Sequence, residues 1–176
     1  MDNLADQVER LESQSRRENL IFHGFEDKTG ESWDETETLV RRHISNELNL
    51  NEGNIAIERA HRLNTRSTPR PVIVKFSSFK DKDQVIRTYR EQRKVATAEA
   101  EASNGNGEEE QIVNERKGVR ISEDFTARVR QARAALKPFL REHLKEKRQA
   151  YIRFDKLVVD GVVFSYNEDE KVLVRA

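Results

Sequence analysis

The sequence predicts an α+β protein built from three parts. Between residues 19 and 125, short apolar runs with the two-residue period of strands alternate with segments whose apolar residues recur every three to four positions, as in helices. Residues 126–176 continue with an amphipathic helix and an Asp-Gly hairpin, and residues 1–18 have the spacing of a coiled coil. We therefore expect the end of a coiled-coil stalk, a mixed domain and a small C-terminal α+β domain.

The N-terminal part carries a short heptad pattern. Leu4, Val8 and Leu11 are spaced four and three residues apart, as at the d and a positions of a heptad. A helix this short is only marginally stable by itself in water. The segment is therefore either the last part of a longer stalk or a frayed amphipathic tail. We favour the stalk, with these three residues at an oligomer interface.

The middle part is predicted to contain four strands and two helices. Ser32 and Glu35 form a capping box that begins the first helix, and Trp33, Val40 and Ile44 lie on its apolar face. The elements, in chain order, are a strand from Asn19 to Phe25, a helix over about 33–48, a strand from Ile55 to Arg62, a strand over about 71–77, a helix over about 79–93 and a strand over 118–122. This βαββαβ order is that of a ferredoxin-like, RRM-type domain.

The strand over 71–77 has a clear two-faced pattern. Val72, Val74 and Phe76 alternate with Ile73 and Lys75, and side chains of a strand point alternately to its two faces. If Val72, Val74 and Phe76 are buried, Ile73 and Lys75 lie on the opposite, uncovered face of the sheet. Lys75 then becomes a candidate for binding nucleic acid.

The first strand has two possible orientations. Either Phe22 lies on the open face, or Leu20 and Phe22 are buried and Ile21 and His23 face outward. We prefer the second, because it buries the larger apolar pair. The open face then carries no aromatic ring, although RRM domains usually stack bases on rings of the central strands. We therefore expect recognition of phosphates and shape more than of base edges.

An acidic insert of low complexity interrupts the middle part over about 96–117. It is rich in Ala, Glu, Ser, Asn and Gly, and it contains the run Glu108-Glu109-Glu110. Because it has too little apolar surface to pack, we expect it to be linker-like or partly helical.

The C-terminal part is predicted as a helix followed by a small sheet. Thr126 caps the helix, and Pro138 in its middle is expected to kink it. A hairpin over 157–164 turns at Asp160-Gly161, which suits the positive φ angles of a type I′ turn. Edge strands are expected over 151–154 and 171–174. Tyr151 and Phe154 could stack on bases, but packing into the core is the preferred interpretation.

Charge is segregated although the net charge is zero. Residues 55–94 contain eleven basic and four acidic residues, and residues 128–156 contain ten basic and three acidic ones. The balancing carboxylates lie in 26–52 and 99–110. Such segregation favours a surface that binds a polyanion such as nucleic acid over solvated helix faces, in which the two signs are more often mixed.

Several function classes are excluded or disfavoured. The chain has no cysteine, so disulfides, cysteine-ligated zinc and thiol catalysis are absent. No apolar run approaches the length of a membrane span, and the polar N-terminus is no secretory signal. No phosphate loop is present, and the histidines lack metal-ligand spacing: His23, His43, His61 and His143. We expect an intracellular, non-enzymatic protein without cofactor or metal.

Five motifs in the right order resemble the RNA-binding first-open-reading-frame protein of LINE-type non-LTR retrotransposons. They are Ser15-Arg16-Arg17-Glu18-Asn19-Leu20, Ile57-Glu58-Arg59-Ala60-His61-Arg62, Val119-Arg120-Ile121-Ser122-Glu123-Asp124-Phe125, Ala132-Arg133 and Phe154-Asp155-Lys156-Leu157. The resemblance implies a trimeric coiled coil, an RRM-like domain and a C-terminal domain. It also implies RNA packaging and nucleic-acid chaperone activity in cytoplasmic ribonucleoprotein particles, with possible nuclear entry.

The resemblance also points to arginines that would grip single-stranded RNA, or single-stranded DNA, in a cleft between the domains. They are Arg16, Arg17, Arg62, Arg66, Arg70, Arg120, Arg133 and Arg153. We hypothesise that Arg62 and Arg133 contribute most.

Structural roles remain open for several of these arginines. Arg120 could pair with Glu123 or with a neighbouring strand, Arg16 and Arg17 could be charges of the stalk, and Arg133 could lie along the apolar stripe of its helix. The alternative function is a non-catalytic protein-interaction adaptor with an RRM-like fold on a coiled-coil scaffold. An enzyme such as a nuclease is a distant third.

Overall fold

The computed structural model describes residues 4–103, 118–167 and 170–176, with side chains for all of these except 97–103. The elements, in chain order, are α1 (Leu4–Arg16), β1 (Asn19–His23), α2 (Trp33–Asn46), a short 3-10 turn (Glu52–Asn54), β2 (Ile57–Arg62), β3 (Val72–Phe76), α3 (Phe79–Ser103), β4 (Arg120–Glu123), α4 (Ala127–Lys145), β5 (Ala150–Arg153), β6 (Lys156–Val159), β7 (Val162–Asn167) and β8 (Val172–Arg175). The protein is therefore α+β, with antiparallel sheets.

The chain divides into two compact units. The central unit is Arg17–Asp124, and the terminal unit is Met1–Arg16 together with Phe125–Ala176. The central unit is thus continuous in sequence, whereas the terminal unit is formed from the two ends of the chain.

The central unit has one four-stranded antiparallel sheet with the order β2-β3-β1-β4. Helices α2 and α3 cover one face of this sheet, because Val40 and Ile44 of α2 and Val85 and Ile86 of α3 share one apolar core with the strands. None of the helices described in this unit covers the other face, and we call it the open face.

The predicted orientation of β1 and β3 is confirmed. Leu20 and Phe22 of β1 are fully buried beside the buried side chains of β3, which are Val72, Val74 and Phe76. Ile21 and His23 are only half-buried, as expected for side chains on the open face.

Strand β2 contains an irregularity that the sequence pattern concealed. The pairing with β3 shifts between Ile57 and Arg59, so that Glu58 is an extra residue in the strand. Because of this bulge, Ile57 and Ala60 both face the core although they are three residues apart. Arg59 and His61 consequently face the open side.

The capping box at the start of α2 is confirmed. The Ser32 side chain accepts a hydrogen bond from the Glu35 amide at 3.2 Å, and the Glu35 carboxylate accepts one from the Ser32 amide at 2.8 Å. Helix α2 therefore begins at Trp33, as predicted, and it ends at Asn46.

Helix α3 is longer than predicted. It continues to Ser103, about one third of the way through the acidic insert. The alanines and glutamates of residues 96–102 are strong helix formers, which favours continuation of the helix. Residues 104–117 of the predicted insert lie outside the described residues.

The terminal unit packs α4 on a second antiparallel sheet with the order β5-β6-β7-β8. Thr126 caps α4 as predicted, because its hydroxyl accepts a hydrogen bond from the Val129 amide at 3.3 Å. The apolar core of this unit is formed by Leu136 of α4 and by Leu157 and Val159 of β6. Helix α4 continues through Pro138, and the kink expected there stays a prediction.

The predicted hairpin and its edge strands are confirmed. Asp160 and Gly161 join β6 to β7 with φ angles of 50° and 82°, the positive values of a type I′ turn. Strands β5 and β8 lie at the two edges of the sheet.

Helix α1 joins the terminal unit through its polar side. Asp6 forms an ion pair with Arg128 at 2.8 Å, and Glu9 accepts a hydrogen bond from Thr126. The apolar stripe of Leu4, Val8 and Leu11 is 73, 54 and 66% exposed and is therefore not buried within the chain. None of the helices in the described part of the chain is long and apolar enough to cross a membrane.

Candidate nucleic-acid interface

The open face of the central sheet brings together side chains from all four strands. The members are Arg59 and His61 of β2, Ile73 and Lys75 of β3, Asn19, Ile21 and His23 of β1, and Arg120 and Ser122 of β4. Arg59 lies opposite Lys75, and Arg120 lies opposite His23. The two isoleucines are paired at the centre, so the face has an apolar middle with cations around it.

Two of the three cations of the open face, Arg59 and Arg120, have no ion-pair partner within the described residues. Arg59 and Arg120 are exposed, and Lys75 pairs with the bulged Glu58 at 3.0 Å. Glu123 of β4 points to the helical face, where it binds Lys82 and Arg90 of α3. The predicted alternative pairing of Arg120 with Glu123 is therefore not present.

His23 is a neutral member of this face. Its Nε2 lies 3.2 Å from the hydroxyl of Ser122. Burial and the neighbouring Arg120 both lower the pKa of His23 below its ordinary value. The imidazole is consequently uncharged near pH 7, and the positive charge here comes from Arg59, Lys75 and Arg120.

Arg62 is placed differently from the expectation. Its side chain is only 5% exposed, and its guanidinium forms a bidentate pair with Glu31, whose side chain is 2% exposed, at 2.9 and 3.0 Å. It also donates to the carbonyl oxygens of Arg70 at 2.8 Å and Phe25 at 3.2 Å, and to that of Glu26. These contacts use its hydrogen-bonding capacity within the chain, so Arg62 occupies a structural position.

Arg70 belongs to the same network. It forms a bidentate pair with Asp27 at 2.8 and 2.9 Å, and its amide also donates to Asp27. Arg62 and Arg70 together fasten the loop over 24–32 to the loop over 63–71. We call Asp27, Glu31, Arg62 and Arg70 the loop network.

The loop network makes stability sensitive to acid. Hydrogen bonds from Arg70 hold the pKa of Asp27 at about 2, below its ordinary 3.8, and the Arg62 hydrogen bond lowers the pKa of Glu31. A lowered folded-state pKa stabilises the fold above the ordinary pKa, and this stabilisation disappears as pH falls towards the folded value.

We therefore expect Asp27→Asn to lower the melting temperature at pH 7 and to flatten its decline between about pH 4 and pH 2. Thermal unfolding across this pH range checks it. The control is Asp83→Asn, which breaks the exposed i,i+4 pair with Arg87 and should leave the pH profile nearly unchanged. Equal profiles for Asp27→Asn and the unaltered protein would contradict the prediction.

Three further arginines that were predicted to bind RNA, in α1 and the central unit, lie near the surface. Arg16 pairs with Glu12 one turn earlier in α1 at 2.8 Å. Arg17 is exposed, and its guanidinium lies 4.9 Å from the centre of the Phe79 ring. Arg66 is exposed in the loop over 63–71. Arg17 and Arg66 are thus available for an anionic ligand.

The terminal unit carries its own group of cationic and aromatic side chains. The Arg133 guanidinium lies 4.7 Å from the centre of the Phe125 ring and donates to the Phe154 carbonyl at 2.7 Å. Arg153 is exposed. Tyr151 and Phe154 are 55 and 47% exposed, so the preferred interpretation that they pack into the core was wrong.

The exposure of Tyr151 follows from the alternation of side chains along β5. Ala150 and Ile152 of β5 pack against the core of the terminal unit, and successive side chains of a strand face opposite sides. Tyr151 therefore faces away from that core.

Sequence reasoning missed Arg59, His61 and Trp33. The first two were detectable only by recognising the bulge at Glu58, which sets their face. Trp33 was expected on the apolar side of α2, yet it is 62% exposed, and its ring is stacked on that of His61 with centroids 4.9 Å apart.

Neither the models of known protein families nor the curated proteins contain a match to this chain. Within residues 4–103, 118–167 and 170–176, no group of three or more His, Asp or Glu side chains is placed to hold a metal ion. The candidate interface therefore rests on the open face and on the exposed Arg17 and Arg66 of the same unit.

Proposed function

We propose that this chain is a non-catalytic, sequence-tolerant binder of single-stranded RNA. The observation that carries the proposal is the open face, where Arg59, Lys75 and Arg120 surround the half-buried pair Ile21 and Ile73. Three cations around an apolar centre suit a single strand of RNA, whose phosphates bind the cations while its bases lie against the sheet.

A ferredoxin-like fold of the RRM type is part of the proposal. The βαββαβ order of elements supports it, as does the sheet order β2-β3-β1-β4 with both helices on one face. The central strands β1 and β3 present Ile21 and Ile73 where RRM domains usually present rings, which favours tolerance of sequence.

The loop network supports the site without contacting the ligand in this proposal. Arg62 and Arg70 hold the loop over 63–71 in place, and that loop carries the exposed Arg66. The terminal unit would add Arg133 and Arg153. Arginine suits this role because its planar guanidinium pairs with phosphate oxygens and stacks on bases.

Self-association through α1 is also proposed. The exposed stripe of Leu4, Val8 and Leu11 supports it, since a heptad stripe that buries nothing in its own chain is suited to a second copy. In a trimer on a longer stalk, weak contacts of each copy would combine through effective concentration. Packaging and chaperone roles in a cytoplasmic, LINE-type ribonucleoprotein particle belong to this same proposal.

The test is binding of a labelled single-stranded RNA of about 20–30 nucleotides, followed by fluorescence anisotropy over a salt series. We expect a steep fall in affinity with salt for the unaltered protein. Substituting Arg59, Lys75 and Arg120 together by glutamine should weaken binding about tenfold or more. It should also reduce the slope of log affinity against log salt by about 2, because each phosphate contact on a single strand contributes about 0.7.

The matched control removes the same charge from the exposed residues of α3, by substituting Lys80, Arg87 and Lys94 with glutamine. It should leave affinity and slope nearly unchanged. Equal losses in both triple variants would contradict the placement on the open face. Absence of binding at low salt, from a folded protein, would favour the adaptor function, in which the open face binds a protein.

A further inference from the structure

An aromatic pair lies at the β2 edge of the open face. Trp33, the first residue of α2, is stacked on His61 of β2, with ring centroids 4.9 Å apart and ring planes inclined by 22°. Strand β2 is the edge strand of the sheet. This pair is separate from the central strands, where the open face carries isoleucines.

Most of the Trp33 surface is left to solvent. His61 covers one side of the ring, while 62% of the Trp33 surface remains exposed. The capping box of Ser32 and Glu35 fixes the start of α2, so the ring is attached to a rigid element. A flat, fixed and half-covered indole is suited to receive one further flat ring.

Cations lie beside the pair on the sheet, whereas the first turn of α2 carries the acidic Asp34 and Glu35. Arg59 lies two residues before His61 on the same face of β2, and Lys75 lies opposite Arg59 in the register. Burial and Arg59 lower the pKa of His61, so the stacked imidazole adds no charge near pH 7. An RNA strand whose phosphates contact Arg59 and Lys75 would thus place a base beside the Trp33–His61 pair.

We infer that the Trp33–His61 pair is a base-stacking site for single-stranded RNA, in which one nucleobase lies on the free face of the Trp33 indole. The inference rests on the proposed RNA binding and adds a site to it. Stacking on an aromatic ring tolerates any base, so the site increases affinity without selecting a sequence. The aromatic contact lies beside the edge strand β2, whereas RRM domains usually place their aromatic contacts on the central strands.

Trp33 is the only tryptophan in the sequence, so its fluorescence reports on this site directly. The experiment titrates the full chain with an unlabelled single-stranded RNA of about 20–30 nucleotides, and in parallel with inorganic polyphosphate, which has charge but no bases. We expect RNA to quench Trp33 with the midpoint seen by anisotropy. Polyphosphate should displace labelled RNA without quenching Trp33.

Two substitutions separate stacking from simple apolar contact. Trp33→Leu should weaken RNA binding about tenfold and leave the salt slope unchanged, since it removes a stacking contact and no phosphate contact. Trp33→Phe should retain most of the affinity. If Trp33→Leu fails to fold, quenching of the unaltered protein still decides the matter.

The outcomes separate this inference from the proposed function. RNA binding by anisotropy with unchanged Trp33 fluorescence overturns the stacking site and leaves RNA binding in place. Equal affinities of Trp33→Leu and the unaltered protein also overturn it. Absence of RNA binding in both readouts overturns the proposed function and the stacking site together.

Discussion

Substitution of Arg62 by glutamine should lower the free energy of unfolding of the central unit by about 3–5 kcal/mol. Arg62 and Glu31 are almost fully buried, and the substitution leaves the carboxylate of Glu31 buried without its cation. It also removes donors to the carbonyl oxygens of Phe25, Glu26 and Arg70. A loss of this size is a large share of the stability of a typical domain, about 5–15 kcal/mol.

Urea unfolding of the Arg62→Gln variant measures this loss. The control is Arg66→Gln, an exposed arginine of the adjacent loop, which should change stability by less than about 0.5 kcal/mol. The double variant Glu31→Gln, Arg62→Gln should recover part of the loss, because no charge is then left unpaired. Unchanged stability with reduced RNA affinity would instead support the original hypothesis that Arg62 contacts the ligand.

Substitution of Leu136 by alanine should destabilise the terminal unit by about 2–5 kcal/mol. Leu136 of α4 is fully buried against Leu157 and Val159 of β6. The core of this unit is small, and small units have little stability in reserve. We therefore expect the substitution to unfold much of the terminal unit while the central unit stays folded.

Hydrogen exchange measured for each segment distinguishes the two units. Amides of β6 and β7 should lose protection in the Leu136→Ala variant, whereas those of β1 and β3 should keep it. Leu144→Ala is the matched control, since Leu144 lies in the same helix and is half exposed. Loss of protection in both units would show that they unfold together, contrary to this expectation.

Local patterns predicted much of the fold. The alternation of Val72, Val74 and Phe76 set the buried face of β3, because the period of a strand admits only two faces. The Ser32 capping box and the Asp160-Gly161 turn were equally local, since a few neighbouring residues determine each. These features depend on short-range geometry, which a sequence records directly.

Features that depend on distant residues were not predictable in the same way. Arg62 was expected to face a ligand, and its partner Glu31 lies 31 residues away in the chain. An arginine at the end of a strand has the same local signature whether its guanidinium meets a carboxylate of the protein or of a ligand. Only the fold of the loop over 24–32 decides between them.

Trp33 illustrates a second limit. Helical periodicity groups it with Val40 and Ile44, which are buried, but it lies in the first turn of α2, where the ring meets the edge strand β2 instead of the core. Periodicity shows which side of a helix a residue occupies. It does not show how far along the helix the sheet extends.

The division of the chain has a consequence for its synthesis. A ribosome completes the whole central unit before it begins α4, so the central unit has all its residues first. The Glu9–Thr126 contact of α1 has to wait for the later segment. At translation rates of about 5–20 residues per second, that wait is roughly 5–20 s. During this interval the nascent α1 has neither Thr126 nor Arg128 to contact, so the self-association that we propose for α1 would compete with no contact to the later segment.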